Sequence, residues 1–206
     1  MTTDTASLAG FGHHPVRFDV DYPDRPLDRL STAFRPFAAL PILVVLATVA
    51  VTGGGVAAGV LFLGPLLMIL FRRKYPRWWF DWNVELMRFT NRVYAYGALL
   101  SDRYPSTDEK QYVKLELEYP DAREDLSRWL PLVKWFLATP HYVVLAVLSI
   151  GALFAVVAAC FSILFTGRYP RALFNYVVGV MRWSNRVSAY AFVLATDKYP
   201  PFRLAH

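Results

Sequence analysis

Four arginines form the most regular constellation of charge in the chain. Arg88 and Arg92 stand one helical turn apart in "VELMRFTNRVYAY", and Arg182 and Arg186 repeat the spacing in "VVGVMRWSNRVSAY". Asn91 and Asn185 precede the second arginine of each pair. Guanidinium groups take phosphate or carboxylate through paired hydrogen bonds, and a neighbouring amide adds a further donor. The chemistry this pattern offers is recognition of an anion. The ligand is either a lipid headgroup or an acidic patch on a partner membrane protein, and the plainest role is anchorage to lipid phosphate.

Catalytic chemistry finds little to work with. His13 and His14 lie near the start, His206 is the last residue, and His141 borders an apolar run. Cys160 sits between Ala159 and Phe161 and reads as a packing residue; as the single cysteine it allows no intramolecular disulfide. The "GGG" at 53–55 lacks the lysine of a phosphate loop and reads as a turn. Asp121, Glu124 and Asp125 stand before a helix start, where they favour the helix dipole. No catalytic residue, cofactor or metal is expected, and the chain reads as non-enzymatic.

The arginine motifs belong to a longer internal likeness. Residues 75–100 align with 169–194 without a gap, and 13 of the 26 positions are identical, including both arginines and the asparagine. The likeness extends outward: "SDRYP" at 101–105 answers "TDKYP" at 196–200, and "VRFDVDYPD" at 16–24 answers "VKLELEYPD" at 113–121. Internal duplication organises a fold before anything else does. The expected organisation is a flexible N-terminus (1–15), a first membrane repeat (16–105), a polar joint (106–112) and a second membrane repeat (113–206).

Each repeat has four parts. First comes a short stretch with period two: Val16, Phe18, Val20 and Tyr22 on one side, Arg17, Asp19 and Asp21 on the other, with the same pattern from Val113 to Tyr119. Period two with one polar face predicts a strand. Two such strands related by a pseudo-two-fold axis are expected to pair antiparallel, apolar face inward, with two free edges.

The second part is an apolar run. No charged residue occurs from Phe37 to Phe71 or from Phe136 to Gly167, so each run exceeds the roughly 20 residues that span a bilayer. The first run is interrupted by "TGGG" at 52–55 and the second by "SIG" at 149–151. Each is expected to fold as a tight helical hairpin, giving four membrane-embedded helices in all; the competing arrangement is one long span per repeat. Lys134 stands near the start of an arm, where its stem would reach back to the surface.

The third part is the arginine motif itself. At 100° per residue, Asn175, Gly179, Arg182 and Arg186 share one stripe, with Tyr176, Trp183 and Tyr190 on its shoulders. This predicts an amphipathic helix lying in the membrane interface. The alternative, a transmembrane helix, would place two arginines at depth for about 2.5–3.5 kcal/mol each. The fourth part is an aromatic-proline exit. Tyr75, Trp78, Trp79, Tyr169, Trp183, Tyr199 and Phe202 are the expected interfacial anchors.

Composition supports this class. Hydrophobic residues make up 55% of the chain and charged residues only 18%, against roughly 25% in soluble proteins. Residues 1–15 have neither a basic start nor an apolar core, so no cleavable signal is expected. The net charge of +6 is read as lipid-facing, not as nucleic-acid binding. The lysines and arginines cluster outside the apolar runs, which puts both termini on the cytoplasmic side.

The pattern "FTGRYPR…VMRWSNRVSAY…DKYPPF" resembles a bacterial membrane family known only as domain of unknown function 4389. The resemblance is close from about Trp129 to Phe202 and looser in the first repeat, where "FRRKYPR" stands for "FTGRYPR". It implies a multi-pass protein of the bacterial inner membrane and brings no activity with it. The expected function is that of an accessory or scaffold subunit of a larger membrane complex, one involved in transport among the options. The alternatives are a membrane-shaping or anionic-lipid-binding protein and, more weakly, a small transporter. Expected partners are anionic membrane lipids and other integral membrane proteins or further copies of the chain.

Overall fold

The computed structural model describes residues 14–23, 25–54, 63–106 and 112–205. Most of the expected N-terminal segment, residues 107–111 of the joint, and the first run from Gly55 to residue 62 lie outside the described residues. Gly53 and Gly54 are the last two residues of a helix.

The two period-two stretches form the expected ribbon. Strands β1 (Val16–Val20) and β2 (Val113–Leu117) pair antiparallel, with Phe18 opposite Leu115 and Arg17 opposite Glu116. Asp21 N–H donating to Tyr112 O and Glu118 N–H donating to Pro15 O extend the ladder at both ends. Val16, Phe18, Val20 and Leu115 are buried, and Asp19, Asp21, Glu116 and Glu118 are exposed. Alternation along a pleated strand puts successive side chains on opposite faces, so one face meets the core and the other meets water.

The helices are α1 (Arg29–Ala38), α2 (Leu40–Gly54), α3 (Leu63–Arg72), α4 (Arg77–Gly97), the short α5 (Lys134–Leu137), α6 (Thr139–Thr166) and α7 (Arg171–Ala191). Pro41 has no N–H to continue the ladder of α1, and the chain turns at Ala39 before α2 begins. Pro140 plays the same part in the first turn of α6. Pro76 and Pro170 precede α4 and α7 in extended conformation and start both helices at matching positions.

The hairpin expected at "SIG" does not form. Ser149, Ile150 and Gly151 lie inside one unbroken 28-residue helix, α6. A single glycine costs a helix only about 1 kcal/mol, less than the packing of a long apolar helix returns. The glycine serves close approach instead: a Cβ at Gly151 would stand 2.5 Å from Tyr176 Oη, which donates to Leu148 O at 3.0 Å. The second half therefore carries one apolar helix in place of two arms.

Helices α6 and α7 run antiparallel along their full length. Ala138, Tyr142 and Leu145 cluster with Val187 and Tyr190 at one end, while Ala155, Ala159 and Ile163 cluster with Phe174 and Val177 at the other. The ribbon runs along α7 too. Arg182 Nε donates to Phe18 O at 2.9 Å, and one helical stretch away Tyr22 Oη donates to Tyr169 O at 2.6 Å. The axes of β1, α7 and α6 are thus roughly parallel. Strand β2 lies on α4 in the same manner, so each strand packs on the helix from the other half of the chain.

Arg29–Thr48 and Thr139–Thr166 are long and apolar enough to cross a membrane. Only 11% of the apolar window of α6 is buried by the protein. Val143, Val147, Ile150, Phe154, Phe161 and Phe165 leave its outward side apolar from end to end.

Candidate functional site

The arginines of α4 and α7 turn toward the protein: Arg88 and Arg182 meet the ribbon, and Arg186 meets the C-terminal segment. Arg92, Arg182, Arg186, Asn91 and Asn185 are buried, and Arg88 is half-exposed. The folding logic is local. Helical spacing brings Arg182 and Arg186 to one side of α7, and the polar backbone of the strand edge needs donors there.

Arg182 holds three groups. Its Nε donates to Phe18 O, its terminal nitrogens to Leu204 O at 2.9 Å and to the Asp19 carboxylate at 3.1 Å. Arg88 repeats the first of these contacts, donating from Nε to Leu115 O at 3.0 Å, and pairs with Glu85 at 2.5 Å. Phe18 O and Leu115 O lie on the outer edges of the ribbon. The edges expected to be free are therefore stitched to the helices by arginine.

Arg186 donates to Ala205 O at 3.0 Å and to Arg203 O at 3.4 Å, tying the C-terminal segment to α7. Burial, then the nearby charges of Arg182 and Arg203, lower its pKa to about 10. Burial also lowers that of Arg182, against the pull of Asp19. Arg92 Nε donates to Arg88 O at 3.3 Å.

Asn91 and Asn185 meet each other. Nδ2 of Asn91 donates to Oδ1 of Asn185 at 2.7 Å, and Nδ2 of Asn185 donates back to Oδ1 of Asn91 at 2.8 Å. Each amide also donates to the carbonyl one turn earlier, Met87 O or Met181 O.

Two cations that motif reading did not assign to the site complete the set. Arg35 on α1 donates to Tyr96 O and Ser101 O, pairs with Asp102 and lies 4.6 Å over the Tyr96 ring. Lys134 on α5 donates to Thr196 O at 2.6 Å, pairs with Asp197 at 2.7 Å and lies 5.0 Å over the Tyr190 ring. Lys134 does not reach back to the surface. It is fully buried, because the carboxylate and carbonyl that satisfy it are inside. Burial lowers its pKa, and the hydrogen bond and charge of Asp197 oppose that. The signal was present in "SDRYP" and "TDKYP", whose aspartates are the partners.

The expected anchors divide. Trp78, Tyr199 and Phe202 are exposed and Trp79 is half-buried, whereas Tyr75, Tyr169 and Trp183 are buried. Tyr75 Oη donates to Val193 O at 2.6 Å, and Trp183 Nε1 donates to His141 Nδ1 at 3.0 Å beneath Phe202. Among the described residues no group of three or more His, Cys, Asp or Glu side chains is placed to hold a metal ion.

What these polar groups do chemically is hold backbone carbonyls and one another. This buried network is densest around α7 and its two flanking segments. Residues 129–203 match the family described as Domain of unknown function (DUF4389). The DUF4389 segment contains Lys134, α6, α7 and the Asp197 turn, so the matched region is the framework of the second half. No curated protein and no solved structure matches the chain.

Proposed function

We propose that the protein is a non-enzymatic scaffold embedded in the bacterial inner membrane, an accessory subunit of a larger membrane assembly. One observation carries this reading. An apolar outward face runs the whole length of α6, and the charged face of the ribbon runs parallel to it on the far side of α7. A membrane can satisfy both faces if α6 reclines in one leaflet. The ribbon then stays in water and α4 and α7 lie between, at the interface. An upright α6 would carry Arg17, Asp19, Lys114 and Glu116 through hydrocarbon, at a cost of several kcal/mol for each charge.

The paired contacts support two copies of one unit. Arg88 and Arg182, Tyr119 and Tyr22, and Arg35 and Lys134 make the same kinds of bond in each half, around the Asn91–Asn185 pair. Arg35, Lys134, Arg182 and the two asparagines direct their polar groups to backbone carbonyls and to one another, which favours a structural role. In this reading the ribbon side and both termini face the cytoplasm, in keeping with the chain's net charge of +6, which lies outside the two apolar runs.

Co-purification in mild detergent tests the assignment. A stoichiometric complex with other integral membrane proteins supports the accessory role. A second reading, membrane shaping, is favoured by the placement of apolar volume in one leaflet; a lone homo-oligomer that tubulates liposomes would establish it instead.

A further inference from the structure

The end of α3 differs from its counterpart in the second half in a way that packing does not require. Arg73 caps α3 in the left-handed conformation, with φ 48°. The matching residue at the end of α6 is Gly167, with φ 73°. Glycine takes this conformation without steric cost, whereas a side chain there is strained. Leu99 and Leu194 also have positive φ, but they are buried and occupy comparable places after α4 and α7. Arg73 is exposed, so no core contact offsets its strain.

Arg73 opens onto a cavity of about 530 Å³ that Lys74 and Arg123 also line. Among the described residues, none of these three side chains has an ion-pair or hydrogen-bond partner. The one carboxylate in the lining, Asp121, is turned to its own loop, where Oδ1 accepts from Arg123 N–H at 2.7 Å. Arg77 stands beside the cavity, 5.4 Å over the Tyr119 ring. Phe71 and Trp78, which flank the lining stretch 73–76 in sequence, are both largely exposed. The counterpart is filled. Pro26 lies 3.6 Å from where a Gly167 side chain would begin, and Leu27 N–H donates to Gly167 O at 2.9 Å. Arg72, Arg73 and Lys74 are replaced there by Thr166, Gly167 and Arg168.

Strain retained at an exposed, unpartnered cation is a mark of binding rather than of stability. We propose that this groove binds the phosphate of an anionic lipid headgroup. Arg73 and Arg123 offer planar pairs of donors to phosphate oxygens, and Lys74 adds a point charge. The flanking Phe71 and Trp78 put the groove at the depth where a headgroup meets its acyl chains, which favours a lipid over free phosphate. The inference rests on the membrane-embedded reading above.

The test uses the full chain purified in an uncharged detergent and reconstituted into phosphatidylcholine vesicles with or without phosphatidylglycerol. Wild type should float with both and enrich phosphatidylglycerol around itself. Arg73→Gly should weaken that enrichment about fivefold, and Arg73→Gly with Lys74→Gln and Arg123→Gln about a hundredfold. Arg73→Gly should also raise the unfolding temperature, because it relieves the strained cap. Arg168→Gln should change neither. Unaltered enrichment in the triple variant would overturn the proposal. So would competition by inorganic phosphate at concentrations comparable to the lipid, which would assign the groove to a soluble phosphate. Failure to float even with neutral vesicles would instead overturn the membrane-embedded reading.

Discussion

Asn91 and Asn185 exchange two hydrogen bonds across the centre of the protein, amide to amide, at 2.7 and 2.8 Å. The two residues are separated by 94 positions, the same offset that relates the two arginine motifs. Each asparagine thus meets the residue that the motif alignment pairs with it. The pair is buried, so each amide depends on the other.

Asn91→Leu should therefore cost about 1–3 kcal/mol, the penalty of leaving the Asn185 amide unpaired. Asn185→Leu should cost about the same. The double variant should cost clearly less than the two together, because no orphaned amide remains. Thermal unfolding of all four proteins in one detergent gives the cycle. Additive losses would mean the amides act independently.

Lys134→Met should be more damaging. It strands the Asp197 carboxylate and Thr196 O beside an apolar side chain, and loss of one partner of a buried ion pair costs about 3–5 kcal/mol. Lys134→Met with Asp197→Asn should recover part of the loss. Arg35→Met should behave alike in the first half, where Asp102 is the stranded carboxylate. Denaturant midpoints at a common protein concentration check each step.

Gly151→Ala tests why the second apolar run is one helix. Alanine favours helix over glycine by about 1 kcal/mol, so an ordinary helical position would gain stability. Here the new Cβ meets Tyr176 Oη, and the variant should lose stability instead. Adding Tyr176→Phe removes the clashing oxygen and should restore most of it. A gain on Gly151→Ala alone would place Tyr176 elsewhere.

Burial, reinforced by Arg186, lowers the pKa of His14 to about 4 from an ordinary 6.5, and its Nδ1 accepts from Val16 N–H. The native state thus binds this proton less readily than the unfolded chain. The contribution is constant above pH 6.5, declines as pH falls from 6.5 toward 4, and levels off below that. His14→Gln should flatten that part of the stability profile and leave values above pH 7 nearly unchanged. Parallel pH series of wild type and variant isolate the effect from the carboxylates.

Much of this was legible in the residues themselves. Period two from Val16 to Tyr22 and from Val113 to Tyr119 predicted the strands, their buried faces and their antiparallel pairing. The matched motifs predicted α4 and α7 with matching starts. The hairpin in the second run was not legible correctly, because a lone glycine reads as a break until the tyrosine that needs its missing side chain is located in space. The direction of the arginines was hidden for a related reason. An amphipathic stripe looks the same whether it faces phosphate or a strand edge. The burial of Lys134 depends on Asp197, which is remote in sequence and close only after α7 folds back.

Whether α6 reclines in one leaflet, with the ribbon in water, is read most directly from the depth of single spin labels at Val143, Ile150, Val157 and Phe165, which are all exposed along α6. Each is introduced as cysteine after Cys160→Ala, in the full chain reconstituted into vesicles. Val143 to Phe165 covers about 33 Å along the helix, close to the whole hydrocarbon thickness. A reclining α6 gives similar depths at all four sites. Depths that rise from one headgroup region to mid-bilayer and fall again to the other would contradict it and stand α6 across the membrane.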